Sequence, residues 1–246
     1  MFKFKFFAML ALLGSLSACS TLSPNQNNAS ATPTRQGSPL ASKNPFVQVD
    51  SSGSTRLIDN LLNQALAQMP KSELSEAEKT GLLQMREEEK LAQDVYLSLA
   101  GLWPQARQFQ NISGSEASHT ESVRQLLERY QIIDPALKET GKFSSVAMQN
   151  LYDSLTTQGK TSLIAALQVG LEIEELDIAD LQTLSKSIDQ EDIRLVYQEL
   201  ERGSRNHLRA FHNALKTAGG TYKAKHLSQS AFDAIATSAV ERGSGG

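Results

Sequence analysis

From about residue 55 onward, apolar residues recur at alternating steps of three and four, the spacing that lays them along one face of an α-helix. Alternating β-branched runs are absent, and no Asn-Gly or Asp-Gly turn joins apolar segments, so few strands are expected. A short helix is predicted from Thr55 to Met69, ended by Pro70. A long one follows from Glu76 to Leu102, opened by the capping box Ser75-Glu76-Ala77-Glu78 and closed at Trp103-Pro104. The second long helix, Gln105 to Tyr130, stops ahead of Asp134-Pro135, because the residue before a proline is pushed out of helical geometry. Between Gly141 and Gly159 a short amphipathic helix with Val146, Leu151 and Leu155 is expected to cross the bundle. Thr161 or Ser162 can cap a third long helix ending at Leu184, and a fourth runs from Asp189 to Ala218, where Gly219-Gly220 terminates it. The expected fold class is all-α: a four-helix bundle with a short crossover helix and short flanking helices.

Each long helix breaks its own apolar stripe near the middle. The first reads Leu82, Met85, Glu89, Ala92, Tyr96, Leu99, and the second Phe109, Ile112, Glu116, His119, Val123, Leu126, Tyr130. The third reads Leu163, Leu167, Gly170, Glu174, Asp177, Leu181, Leu184, with adjacent Glu175 as the alternative inward residue if the helix is rotated slightly. The fourth reads Ile193, Val196, Leu200, Gly203 or Ser204, His207, Ala210 or Phe211, Ala214. An unpaired buried carboxylate costs several kcal/mol, on the order of the stability of a whole domain when repeated, so four helices aiming such groups inward imply cations. Glu116 and His119 lie three apart and share a face, and Glu-x-x-His on facing helices with single Glu ligands from the other two is how di-iron and di-manganese bundles are built. Mixed oxygen and imidazole donors suit iron or manganese. The expected ligands are therefore Glu89, Glu116, His119, Glu174, Asp177 and His207, holding one or two ions, with Tyr96 a candidate participant beside them. Glu87, Glu88 and Asp94 lie off the stripe and read as a solvated face, and His212 and His226 as surface residues.

The N-terminus adds a cellular address. Lys3 and Lys5 precede an apolar run from Phe6 to Leu16, too short for a permanent span, which needs about 20 residues, and fitting a signal peptide. Leu16-Ser17-Ala18-Cys19 resembles the lipobox of bacterial lipoproteins, whose cysteine is acylated and becomes the mature terminus. The alternative is an ordinary signal peptide with an incidental cysteine. Cys19 is the sole cysteine, so no internal disulfide can form. Residues 1–18 are thus the expected leader and 19–54, rich in Ser, Asn, Thr and Pro, a flexible tether. The bundle is expected over 55–218, and 219–246 as a partly packed tail carrying Tyr222, Leu227, Phe232 and Ile235 before a disordered Gly-Ser end. The expected location is the cell envelope, lipid-anchored, with Ser20 after the cysteine favouring the outer over the inner membrane. The formal net charge is -3 with no basic block, which argues against nucleic acid as a partner.

The motifs EEEKLAQDVY, Glu116-Ala-Ser-His119, GLEIEELDIADL and GSRNHLRAF stand in order on the four long helices. Together, over about Leu74 to Ala218, they resemble the ferritin-like superfamily, specifically rubrerythrin-related bundles and an uncharacterised prokaryotic family of ferritin-like domains. The resemblance implies a metal pair at Glu89 with Tyr96 seven residues on, and a protein that oxidises ferrous iron or reduces peroxide. One position departs: rubrerythrin-like fourth helices carry Glu-x-x-His, whereas Ser204 stands three before His207, so that Asp177 has to make up the carboxylate. Without a Cys-x-x-Cys pair, reductive turnover implies an external electron donor. A homo-oligomer is a further expected partner state. The rival expectation is a non-enzymatic envelope lipoprotein, a bundle that binds protein or holds metal passively.

Overall fold

A computed structural model describes residues 46–50 and 53–242. The leader, Cys19, the tether as far as residue 45 and the final Gly-Ser residues 243–246 lie outside the described residues. The rest is predominantly helical. A hairpin of β1 (Val47–Val49) and β2 (Thr55–Leu57) precedes α1 (Asp59–Ala67), α2 (Glu76–Leu102), α3 (Arg107–Arg129), α4 (Val146–Gly159), α5 (Leu163–Leu184), α6 (Glu191–Thr217) and α7 (Gln229–Ala236).

The long helices begin and end where the residues dictate. Ser75 accepts from the Glu78 amide while the Glu78 side chain accepts from the Ser75 amide, so α2 opens on the anticipated capping box. The other Glu78 oxygen accepts from the Asp189 and Gln190 amides, which ties the start of α6 to the start of α2. Ser145 and Ser162 cap α4 and α5, and Gly219, at φ +76, ends the α6 region in the left-handed conformation that glycine adopts without strain. Short connections bring α3 back along α2 and α6 back along α5, and α4 lies against both α2 and α5.

The apolar interior is divided. One cluster gathers Val95, Leu99, Phe109, Ile112, Leu167, Leu171, Leu208 and Phe211 with their neighbours; the other gathers Leu82, Met85, Val123, Leu126, Leu181, Ile193, Val196 and Leu200. All four long helices thread both clusters. The interruptions in their stripes meet in the layer between.

Three sequence expectations change. The hairpin occupies 47–57, where a tether and a helix start were expected; its antiparallel register pairs Val47 with Leu57 and Val49 with Thr55. Three-residue strands are too short for alternation to register in a sequence, and β2 is held by the bundle: Ser118 Oγ accepts from the Leu57 amide at 3.1 Å, and Phe46 and Leu57 are buried among the apolar residues of α1 and α3. Secondly, Glu87, Glu88 and Asp94 are buried instead of solvated: the segment between α3 and α4 meets Glu87 and Asp94, and α5 meets Glu88 through Asp180. Ser144 donates to Glu87, and Asp94 takes Lys90 and the Gly141 amide. Glu88 accepts from Gln84, which also donates to Asp180 on α5. Lastly, His212 is half-buried, its ring meeting Phe232 of α7 edge-on, whereas His226 is exposed. Among the described residues no helix is long and apolar enough to cross a membrane.

Candidate metal centre

The polar layer holds Glu89 from α2, Glu116 and His119 from α3, Glu174 and Asp177 from α5, and His207 from α6, none more than 2% exposed. Helical spacing explains the grouping: Glu116 and His119, like Glu174 and Asp177, sit three apart and so look the same way from their helix. Glu116 is the centre of the arrangement. Its Oε2 lies 2.8 Å from His119 Nδ1 and its Oε1 2.8 Å from His207 Nδ1. Outside these, Glu89 Oε2 stands 3.4 Å from His119 Nδ1 and Glu174 Oε1 3.5 Å from His207 Nδ1. The result is a chain, Glu89, His119, Glu116, His207, Glu174, with the two imidazoles stacked at 5.4 Å between ring centres and 20° between planes. The donor atoms of Glu116, His119 and His207 fall within 4.8 Å of one another. Asp177 belongs to the same buried layer but not to that tight group.

The close N–O approaches are not hydrogen bonds. Neither Nδ1 has a hydrogen-bond partner, nor do both oxygens of Glu89, Oε1 of Glu116, Oε2 of Glu174 or Oδ2 of Asp177. The oxygens lie off the direction in which a ring N–H would point. So many desolvated, unsatisfied atoms in one layer are untenable for a neutral interior and suit a cation that takes their lone pairs.

The opposite edges of the rings are held. His119 Nε2 lies 2.9 Å from the Thr55 carbonyl of β2, which can only accept, so Nε2 donates and, once the ring is neutral, Nδ1 keeps a lone pair. His207 Nε2 lies 3.0 Å from Ser115 Oγ. Ser115 donates its hydroxyl proton to the Thr55 carbonyl, and the Thr55 amide donates to His207 Nε2 at 3.4 Å. Gly203 leaves room for the first ring, since a Cβ there would stand 2.5 Å from His119 Cε1. Of these supports, Ser115 adjoins a position the stripes had marked, and Gly203 is one of the two residues the fourth stripe offered at its level. Thr55 left no signal, because its contribution is made by its backbone.

Electrostatics separate the carboxylates. Burial would raise Glu116, but His119 and His207 outweigh it and hold this carboxyl far below the usual range. Burial lifts Glu89 and Glu174 to about 7, each partly countered by its histidine. Asp177 is pushed well up by burial and then by Glu89 and Glu174. Burial would depress His207, yet Glu116 and Glu174 carry it up to about 9; His119 is raised in the same way. Protons thus occupy the layer where divalent ions would otherwise balance the charge.

Around this chain, Tyr96 donates to Glu174 Oε1 at 2.7 Å and its ring packs against Phe109 and Phe211. Glu175 points the other way. Its oxygens accept from Tyr222 Oη and from the Lys225, His226 and Leu227 amides, all in the segment leading to α7. Ser204 is buried and donates to the Leu200 carbonyl of its own helix, bringing no charge to the layer.

The profile of the uncharacterised protein domain DUF2202 matches residues 78–239, a span containing all six metal-capable side chains. The chain belongs to the DUF2202 family. The uncharacterised protein MJ0754 of Methanocaldococcus jannaschii is 45% identical over 179 residues, 72% of this chain and 96% of that protein. The crystal structure of hypothetical protein MJ0754 from Methanococcus jannaschii matches at a TM-score of 0.68, covering 70% of this chain and 99% of that one. The DUF2202 span starts at Glu78, so Thr55, which meets both histidines, lies ahead of it.

Proposed function

We propose that this DUF2202 protein is an exported, lipid-anchored, ferritin-like metal protein that holds one or two iron or manganese ions and oxidises ferrous iron or reduces peroxide. The observation that carries the reading is the pair of histidine Nδ1 atoms without hydrogen-bond partners on either side of the Glu116 carboxylate, with further unpartnered carboxylate oxygens outside each. Glu89, His119 and Glu116 would hold one ion, and Glu116, His207 and Glu174 a second. Asp177 supplies further negative charge in the layer. Bound iron would supply one-electron chemistry toward dioxygen or peroxide. The chain's own contribution is to fix the donors, exclude water and keep the Tyr96 hydroxyl protonated against Glu174, burial having raised it well above its ordinary range. Electrons for repeated peroxide reduction would come from an external donor, since Cys19 is the chain's single cysteine.

The test is metal analysis of the purified protein after iron or manganese loading, with variants on both sides of the site. Glu116→Ala and His119→Ala should lose bound metal and the thermal shift metal produces, while exposed His226→Ala keeps both. Substoichiometric metal in the wild type, with unfolding insensitive to chelator, would end the proposal. For the anchor, Cys19→Ala should leave the membrane fraction. Retention of that variant after a salt wash would remove the lipoprotein reading.

A further inference from the structure

The contacts of Thr55 exceed what packing a three-residue strand requires. The residue is wholly buried, and each of its polar atoms is spoken for. Its carbonyl accepts from His119 Nε2 at 2.9 Å and from Ser115 Oγ; its amide donates to His207 Nε2 at 3.4 Å. Its Oγ1 donates to the Gly53 carbonyl and accepts from Asn206 Nδ2 at 2.9 Å, Asn206 being the neighbour of His207 on α6. Gly53 itself sits at φ +88 with its Cβ position 3.2 Å from the Asn206 carbonyl, so β2 approaches α6 as closely as it does only because that residue is glycine.

We infer that Thr55 is a positioning residue for metal binding, and that β2 completes the centre from outside the DUF2202 span. The inference rests on the metal reading above. A ligating imidazole needs its second nitrogen tied to an acceptor, which selects the tautomer and fixes the ring plane; loss of such a partner typically costs 10–100-fold in affinity. Here the Thr55 carbonyl does this for His119, and the Thr55 amide, donating to His207 Nε2, holds the second ring. Both rings are therefore keyed to one residue of β2. With β2 unseated, each Nε2 would turn to water, and the two Nδ1 atoms would lose their common aim at Glu116.

The experiment uses the full chain and manganese or cobalt as the probe. Gly53→Val drives a branched side chain against the Asn206 carbonyl in a conformation that valine resists, which should unseat β2 while leaving every ligand in place. Ser115→Ala removes the Ser115 link alone. Amide exchange of residues 53–57 reports whether β2 is seated, circular dichroism whether the bundle is intact, and titration the affinity. Gly53→Val should weaken metal about 10–100-fold with helicity retained, Ser115→Ala by less, and Thr55→Ser should stay within about twofold of wild type. In the zinc-loaded wild type, the ring Nε2–H proton of His119 should exchange slowly with solvent, and in Gly53→Val quickly. Unchanged affinity in a Gly53→Val protein whose β2 amides have lost protection overturns the inference and leaves the metal reading standing. A wild type that binds neither manganese, cobalt nor iron overturns both.

Discussion

Glycine at position 203 illustrates how far local preference yields to the centre. In an exposed helix, Gly→Ala stabilises by about 1 kcal/mol. At Gly203 the added methyl would meet His119 Cε1 at 2.5 Å, so Gly203→Ala should lower stability and weaken metal at least tenfold, read by thermal unfolding and titration. A stabilised variant with unchanged affinity would show that the ring has room to move. The same residue scale explains what the sequence could and could not show. Glu89, Glu116, His119, Glu174, Asp177 and His207 were legible because a charged side chain inside an apolar stripe contradicts the stripe. The burial of Glu87 and Asp94 was not legible, since it depends on where a loop distant in sequence comes to rest, nor was that of Glu88, which meets Asp180 of α5. Thr55 was beyond reach for another reason: a backbone carbonyl is present at every position, and only the fold makes this one singular.

At the scale of elements, helix ends were legible wherever punctuation is local. Ser75, Ser162 and Gly219 stand at helix boundaries where such residues are expected, and α2 spans Glu76–Leu102 as read from its capping box and Trp103-Pro104. The hairpin was not legible, being held by Ser118, Ser115 and Asn206 from other elements. The setting of α5 depends on a comparable long-range tie. Glu174 and Glu175 differ by about 100° around the helix, and the four donors gathered on Glu175 fix which of the two turns to the metal layer. Glu175→Ala should leave those donors without their carboxylate, cost about 3 kcal/mol and free residues 221–228 for proteolysis. Thermal unfolding and limited digestion check this; an undigested tail would mean that Phe232 alone docks it.

At the scale of the molecule, metal and protons compete for one layer. His207 is raised to about 9 from 6.5, so its ion pair with Glu116 contributes stability fully below pH 6.5 and loses it as pH rises through 9. Glu89 and Glu174, raised to about 7, also bind protons more tightly when folded, so their contribution has the same sign. The metal-free protein should therefore weaken steadily from about pH 5 to pH 9, while metal affinity climbs over the same interval because imidazole must be neutral to ligate. Calorimetric titration at pH 7 in two buffers of different ionisation enthalpy should show protons released per metal bound; equal heats in both would contradict it. The division of the interior into two apolar clusters carries this further. Each cluster is a small hydrophobic body, and what joins them across the middle is a stratum of charge whose cohesion depends on what is bound there. Metal loading should therefore govern cooperativity as well as stability. The loaded protein should melt as one unit, its calorimetric and van't Hoff enthalpies equal, and the stripped protein at high pH should come apart in two stages, one end of the bundle before the other.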